Sequence, residues 1–329
     1  MDIVLYCLAI VIAAVITGLL GYFMVPFLHK IKFGQTIREV GPSWHKNKQG
    51  TPTMGGIMFI AAAILCVVAA GWRSMLAGYR THLYVLAFAL VFGLIGFIDD
   101  FVKVKFKRNL GLTALQKLVL QLAAAGAYLA LLRYNGDLTC DLYIPFWNVT
   151  FDIPWIVYLI FAMFVIVGCV NSVNLTDGID GLASSVTAVV MAFFMGTAMI
   201  WKFTTLGIFS AALCGSLLGF YALYNRHPAK CFMGDTGSLF LGGAVAALAF
   251  AFDMPLVLIL VGFVYICETL SVILQVTYFK LTHGKRIFKM SPIHHHFEMS
   301  GYTEKQIVVM FAVITAIGSA LGILALRFI

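Results

Sequence analysis

The chain alternates between long apolar runs and short polar connections. A membrane-spanning helix needs about 20 mostly apolar residues, and ten runs come close to that length or exceed it. They cover residues 3–28, 54–72, 82–98, 115–133, 153–173, 182–201, 206–224, 237–252, 255–278 and 306–326. This pattern predicts an all-α polytopic membrane protein with about ten transmembrane helices. The least regular runs are 82–98, which is short, and 255–278, which contains Glu268 and runs into polar Gln275.

The first apolar run follows the acidic Asp2 rather than a basic segment, and it is longer than the core of a signal peptide. We therefore expect a retained helix. No internal repeat or soluble domain is visible along the chain. Residues 1–329 are expected to form a single integral membrane domain.

The composition agrees with the apolar pattern. Hydrophobic residues make up 62% of the chain and charged residues 11%, and the mean hydropathy is +0.98. A soluble globular domain is excluded by these values. The seven cysteines lie mostly inside apolar runs and form no CxxC pair, so neither a disulfide framework nor a zinc site is indicated.

The 22 lysines and arginines are distributed unevenly over the connections. Seventeen of them lie in the odd-numbered connections, and five lie in the even-numbered ones and at the C-terminus. Short cytoplasmic loops are enriched in Lys and Arg, which places the odd connections in the cytoplasm and both termini outside. The net charge of +8 is thereby explained by orientation in the bilayer, and no nucleic-acid partner is expected.

One outer connection carries a turn signal and a strand-like pattern. Asn135-Gly136 favours a turn, and the following "LYIPFWNVTF" alternates in polarity. We expect a small periplasmic β-hairpin there.

Every polar motif of chemical interest lies in a cytoplasmic connection. The motifs are "KQGTPTMGG" (48–56), "DD" (99–100), "NSVNLTDGIDG" (171–181), "NRHPAKCFMGDTGS" (225–238) and "SPIHHHFE" (291–298). Carboxylates that gather at one surface need a cation, and Mg²⁺ binds oxygen ligands together with substrate phosphates. Glycine turns and lysines also suit phosphates. The pattern therefore indicates Mg²⁺-dependent phosphoryl transfer at a site on the cytoplasmic face.

The aspartates are expected to differ in role. Asp99 and Asp100 point about 100° apart on a helix, which favours separate functions over two equivalent solvated carboxylates at a helix end. Asp235 lies between Gly234 and Thr236, a flexible setting that suits a metal ligand. Polar residues 171, 174, 177 and 180 recur every three positions. They either line one helical face or form a polar turn, because glycines interrupt the segment.

The three histidines at 294–296 are consecutive, so their side chains diverge and one zinc ion cannot readily collect all of them. Contacts to a pyrophosphate or a sugar are the better interpretation. Glu268, deep in the ninth run, is either buried against a partner or functional.

The motifs "GTPTMGG", "DD", "NLTDGIDGL", "FMGDTGS" and "PIHHHFE" resemble those of the bacterial phospho-N-acetylmuramoyl-pentapeptide transferase family. This family lies within the polyprenyl-phosphate N-acetylhexosamine-1-phosphate transferase superfamily. The resemblance implies transfer of a phosphosugar from UDP-N-acetylmuramoyl-pentapeptide to undecaprenyl phosphate with Mg²⁺, giving lipid I and UMP. It also implies a homodimer in the bacterial inner membrane, and a bent ninth helix beside a groove for the lipid tail.

The resemblance also assigns roles to individual residues. It makes Asp99, Asp100, Asp235, His294 and His295 catalytic, with Asp235 the principal Mg²⁺ ligand and Asp99 and Asp100 further candidates. The residues implied to bind substrate are Lys48, Thr53, Asn174, Asp177, Asp180, Asn225, Phe232, Gln275 and His296.

Our mechanistic hypothesis is direct attack by an acceptor phosphate oxygen on the sugar-linked phosphorus. A phosphate monoester has a second pKa of about 6, so the acceptor phosphate is mostly ionised at neutral pH and needs little help from a base. Asp99 is therefore expected mainly to orient the acceptor. We expect the defect of Asp99→Asn to shrink above that pKa, and a constant defect counts against a base role. A covalent phosphosugar on an aspartate is the alternative.

Two other functions stay open on sequence alone. A sister transferase that uses UDP-N-acetylglucosamine shares the aspartate motifs. A lipid transporter is the candidate from another class, but transporters usually place binding groups at the bilayer midplane on repeat-related helices. Here only Glu268 is clearly charged at depth.

Overall fold

The protein is an all-α membrane protein with one small hairpin. The computed structural model describes residues 2–30, 48, 50–106 and 111–326. Within these residues, ten helices are long and apolar enough to cross a membrane. The first five long helices are α1 (Asp2–Lys30), α2 (Gly56–Leu76), α3 (Thr81–Lys105), α4 (Ala114–Asn135) and α5 (Trp155–Thr176). The others are α6 (Leu182–Trp201), α7 (Thr204–Phe220), α8 (Gly234–Ala251), α10 (Phe263–Leu281) and α12 (Glu304–Leu324).

The predicted apolar runs are confirmed, and most helix bounds fall within a few residues of them. Helix α3 extends beyond its predicted run, because it continues to Lys105 rather than ending at 98. This extension keeps Asp99 and Asp100 inside the helix. Residues 31–47 and 107–110, which carry several of the predicted cytoplasmic charges, lie outside the described residues.

The hairpin is confirmed within the predicted segment. Strands β1 (Asp141–Ile144) and β2 (Val149–Asp152) pair antiparallel, with Asp141 opposite Asp152. The Asn135-Gly136 turn is not part of the hairpin. It ends α4, because Gly136 adopts a left-handed conformation with φ of +77°.

The ninth apolar run is divided. A 3₁₀ turn (Pro255–Val257) and the short helix α9 (Leu258–Val261) precede α10. Gly262 separates α9 from α10, as expected for the weakest helix former after proline. The backbone carbonyl of Leu260 lies where a side chain at Gly318 of α12 would start, so α9 and α12 pack closely.

Helix α8 lies at the centre of the bundle and packs mainly against α3, with α5 on another side. Close approach depends on small residues. A Cβ at Gly96 of α3 would overlap the carbonyl of Asp235, and one at Gly242 of α8 would press on the backbone of Val170 in α5. The contact of α3 with α8 brings two separate aspartate motifs together.

Candidate active site

Three aspartates and two lysines meet where α3, α4 and α8 come together. Asp99 and Asp100 lie near the C-terminal end of α3, and Asp235 lies in the first turn of α8. The Lys103 Nζ atom is 2.6 Å from Asp99 Oδ2 and 2.8 Å from Asp235 Oδ2. The Lys117 Nζ atom is 3.0 Å and 2.9 Å from the same two oxygens. We call these five residues the aspartate–lysine cluster.

The two adjacent aspartates have different partners, as their angular separation predicted. Asp99 Oδ1 accepts a hydrogen bond from the Leu112 amide at 2.7 Å. Asp100 accepts from the Thr236 amide at 2.9 Å, from the Thr236 hydroxyl at 2.7 Å and from the Asp235 amide at 3.2 Å. These amides belong to the first turn of α8. Backbone N–H groups in the first turn of a helix have no hydrogen-bond acceptor within that helix. Asp100 therefore fixes the start of α8 and, with it, the position of Asp235.

The glycines around Asp235 serve close packing, so the expected flexible setting is wrong. Gly234 has φ of +71°, and a Cβ there would meet Asp100 Oδ2 and the Thr53 hydroxyl. A Cβ at Gly237 would overlap the side chain of Met233. Asp235 is consequently held in a tightly packed helix start, with Thr53 beside it.

The C-terminal end of α5 and the turn that follows it contribute two more predicted residues to this region. The Asn174 amide donates to Asp235 Oδ1 at 2.9 Å and to Ser238 Oγ at 2.8 Å. Asp177 directly follows α5. Desolvation, together with the charges of Asp235 and Asp100, raises the pKa of Asp177 to about 8. Burial and the neighbouring carboxylates therefore favour the protonated form of this carboxyl.

The donor atoms of the cluster fit a hard divalent cation. Asp99, Asp100 and Asp235 each offer a carboxylate oxygen, and these oxygens lie within 4.8 Å of one another. Mg²⁺ prefers oxygen ligands, and each of these three side chains offers a carboxylate oxygen.

A second charged group, which we call the Lys48 network, joins four separate segments. The Lys48 Nζ atom lies 2.7 Å from Asp180 Oδ1 and 2.7 Å from Glu304 Oε1. His227 Nδ1 is 2.9 Å from Asp180 Oδ2, and the Asp180 amide donates to Glu304 Oε2 at 3.0 Å. These four residues line a cavity of about 510 Å³ together with Glu298. Asp180, His227 and Glu304 also offer ligand atoms within 4.8 Å of one another, so they form a second group that could hold a metal ion, although Lys48 already pairs with both carboxylates.

The three histidines lie on the short helix α11 (Ile293–Glu298) and face different partners. His294 Nδ1 is 2.9 Å from Glu268 Oε2, and both residues are fully buried. His295 Nδ1 is 2.6 Å from Glu298 Oε2. His296 Nδ1 accepts from the Lys289 amide at 3.2 Å. The three histidines thus have different hydrogen-bond partners, but the rings of His294 and His295 do not diverge, because their centroids lie 4.1 Å apart. Glu268 is buried against a partner.

Three further predicted residues are engaged with the protein itself. Asn225 accepts from the Ser184 hydroxyl at 2.7 Å. The Gln275 side chain binds the backbone of residues 287 and 288, accepting at 3.0 Å and 2.9 Å. Phe232 is half-buried, and its amide donates to the Pro52 carbonyl at 2.9 Å. Asn225 and Gln275 therefore stabilise the segments that they contact.

Four residues of these clusters were not among the predicted site residues: Lys103, Lys117, His227 and Glu304. For Lys103 a signal existed, because it follows Asp99 by one helical turn. No comparable local signal marks the others, because their partners lie beyond the reach of one helical turn: Asp99 lies 18 residues before Lys117, and the partners of His227 and Glu304 lie more than 40 residues away.

Comparison with known proteins agrees with this geometry. The profile of glycosyl transferase family 4 matches residues 82–253. The phospho-N-acetylmuramoyl-pentapeptide-transferase signature 1 matches residues 48–60. A phospho-N-acetylmuramoyl-pentapeptide-transferase of Clostridium acetobutylicum is 46% identical over 99% of this chain and 100% of its own length. The proteins of that name from Thermoanaerobacter sp. and Alkaliphilus oremlandii are 51% and 50% identical, each over 97% of this chain, and over 98% and 97% of their own lengths.

The chain belongs to the phospho-N-acetylmuramoyl-pentapeptide-transferase family. The resemblance read from the motifs is therefore confirmed. The signature region of this family includes Lys48 and Thr53, which lie in the Lys48 network and beside the aspartate–lysine cluster, respectively.

Proposed function

We propose that this chain transfers phospho-N-acetylmuramoyl-pentapeptide from UDP-N-acetylmuramoyl-pentapeptide to undecaprenyl phosphate, forming lipid I and UMP. This reaction is the first membrane step of peptidoglycan synthesis. The observation that carries the proposal is the aspartate–lysine cluster, in which carboxylates and ammonium groups meet at the ends of spanning helices. The relatives of the chain carry the name of the same kind of transferase.

The proposed setting is the bacterial cytoplasmic membrane with the site facing the cytoplasm. The excess of Lys and Arg in the odd-numbered connections supports this orientation. A water-soluble nucleotide donor and a lipid acceptor can meet only where the bilayer borders the cytoplasm. We include a homodimer in the proposal, as the family resemblance implies.

The proposed metal is Mg²⁺, held mainly by Asp235, with Asp99 as a second carboxylate that already contacts Lys103 and Lys117. Asp100 is the third carboxylate within reach, but its oxygens already accept hydrogen bonds from the start of α8. When bound, Mg²⁺ supplies positive charge that orients the donor diphosphate and stabilises the leaving UMP.

The chain's own residues would bind and orient the acceptor. Lys103 and Lys117 carry positive charge to the place where the phosphate groups meet. An acceptor phosphate oxygen then forms a bond to the sugar-linked phosphorus, and the bond from that phosphorus to UMP breaks, with UMP taking the electron pair. No proton has to move if the acceptor is ionised. Asp99 would act by holding the two lysines in place.

The nucleotide side would lie at the Lys48 network and the α5–α6 turn. Lys48 and Asp180 line the cavity, and Asp177 lies at the start of the turn. His295 has 13% of its side chain exposed, so it can approach a ligand. Asn225, Phe232, Gln275 and His296 would shape the same pocket, mainly by holding its backbone.

The test is UMP release by the purified protein in detergent with two donors. We expect release from UDP-N-acetylmuramoyl-pentapeptide that requires both undecaprenyl phosphate and Mg²⁺. Release only from UDP-N-acetylglucosamine would assign the chain to the sister transferases. Absence of release with both donors, in a protein shown to be folded and to bind neither donor, would contradict the transferase function.

A further inference from the structure

A buried acid–histidine pair lies outside the two clusters. Glu268 of α10 and His294 of α11 are each fully inaccessible, and Glu268 Oε2 lies 2.9 Å from His294 Nδ1. An ionisable side chain within a spanning helix is costly and is usually retained for a function. A buried pair of this kind is also weak support for stability, because desolvation offsets its attraction.

The other side of the His294 ring contacts the α5–α6 turn. A Cβ on Gly178 would overlap Nε2 and Cε1 of His294. Gly178 lies between Asp177 and Asp180, which face the aspartate–lysine cluster and the Lys48 network, respectively. The ring therefore fills the space directly beneath the turn that carries both carboxyls.

The burial of His294 argues against direct contact with substrate. Its exposed fraction is 0%, whereas the neighbouring His295 side chain is 13% exposed. Among the described residues, Nε2 of His294 has no hydrogen-bond partner. A ring that touches Gly178 on one side and Glu268 on the other is placed to hold the turn, not to exchange protons with a ligand.

We propose that Glu268 and His294 are positioning residues: Glu268 fixes the His294 ring, and the ring sets the position of the α5–α6 turn that binds the nucleotide donor. This inference rests on the proposed function, because it assigns the turn to the donor side of that reaction. It predicts that damage to the pair raises the KM for the donor and leaves the KM for the lipid acceptor unchanged.

The first experiment compares two substitutions of Glu268 in the full-length protein. Glu268→Leu removes the acceptor of the Nδ1 hydrogen bond and is expected to raise the donor KM about tenfold, with the acceptor KM within about twofold of wild type. Glu268→Gln keeps an acceptor of the same size and is expected to stay within about threefold of wild type for the donor. An amide in place of the carboxylate is strongly damaging where a histidine transfers protons, so the Gln variant separates the two roles.

The second experiment changes the residue that contacts the other side of the His294 ring, and it does not require the Glu268 variants to fold. Gly178→Ala places a methyl group against the His294 ring and is expected to give the same rise in donor KM. Gly168→Ala is the matched control, because nothing lies within 4 Å of a Cβ at that position in α5. The control is expected to behave as wild type.

A double-substitution cycle completes the test. If Glu268 acts only through His294, Glu268→Leu adds less than about twofold to the defect of His294→Ala. Additive defects, equal damage by Leu and Gln at 268, or a parallel rise in both KM values would overturn the proposal. Activity of the wild-type protein tests the proposed function separately, so failure of one is distinguishable from failure of the other.

Discussion

At the scale of single residues, the site is organised by lysines that each contact two carboxylates. Asp99 and Asp235 come from different helices, yet Lys103 and Lys117 contact both. Like charges at this separation repel each other, and the two ammonium groups offset this repulsion. The same ammonium groups are available to phosphates, which makes them part of the binding site and not only counter-charges.

Lys117→Met tests this role. It removes one of the two cations while keeping the length and apolar character of the side chain. We expect kcat to fall by about 100-fold or more, because stabilisation of the transferred phosphate depends on positive charge. Lys105→Met is the control, since Lys105 lies at the same end of α3 and its contacts are with Phe101 and Phe106. An unchanged kcat for Lys117→Met would remove Lys117 from the mechanism.

The pH dependence of Asp99→Asn tests whether Asp99 is a base. One Asp99 oxygen contacts both lysines and the other accepts from the Leu112 amide, an arrangement that favours orientation over proton abstraction. On that basis the defect of Asp99→Asn, measured as the ratio of wild-type to variant kcat, stays constant between about pH 6 and about pH 9. This revises the sequence-based expectation. A ratio that falls as the acceptor phosphate ionises would restore the base role.

At the scale of elements, the contact of α3 with α8 creates the cluster. Asp100 caps the first turn of α8, and Gly96 lets the two backbones approach. Neither helix alone presents a cation site, because each contributes only part of the carboxylates. The cluster therefore depends on packing as much as on the aspartates themselves.

Gly96→Ala is expected to separate α3 from α8. The added methyl group would overlap the Asp235 carbonyl, and overpacking of this kind costs about 1–3 kcal/mol. We expect a lower melting temperature in detergent and a loss of activity. Gly126→Ala in α4 is the control, because only the flexible end of Met163 lies near, at 3.8 Å. Equal melting temperatures for both variants would show that the close approach is not needed.

Elements were predictable where a local pattern determines them, and not where distant residues do. Long apolar runs predicted the spanning helices, and alternation predicted the hairpin. The ninth run was expected as one span with a bend, yet Gly262 divides it into two helices. The first of these, α9, packs against α12. The sequence left the polar residues from Asn171 to Asp180 as either one helical face or a polar turn, and the structure supports the turn for Asp177 and Asp180, because the helix ends at Thr176.

At the scale of the whole molecule, the groups suited to the proposed chemistry lie in the polar connections on one side of the helix bundle. Motif composition identified the aspartates, because carboxylates beside glycines and lysines suggest phosphate and metal chemistry. The convergence of Lys48, Asp180, His227 and Glu304 could not be predicted, since it depends on four segments meeting in three dimensions. Only the folded bundle brings them to one cavity.

The orientation of the whole chain leads to a topological prediction. When the odd-numbered connections between the ten spans lie in the cytoplasm, the C-terminal end of α12, which is the tenth span, lies outside the cytoplasm. A phosphatase reporter fused after α12 is expected to be active, and a green fluorescent protein at the same place is expected to be dark. The same reporters in the connection after α7 serve as the inverse control. A fluorescent C-terminal fusion would reverse the topology and move the site away from the cytoplasm.

The central claim is that the aspartate–lysine cluster is the catalytic centre. The most direct measurement is the rate of UMP release, with both substrates and Mg²⁺, for wild type, Asp235→Asn and Asp141→Asn. Asp141 lies in the hairpin β1 and controls for loss of a carboxylate elsewhere. We predict that Asp235→Asn lowers the rate by about 1000-fold or more, and that Asp141→Asn stays within about twofold of wild type. A folded Asp235→Asn protein that releases UMP at the wild-type rate would contradict the account.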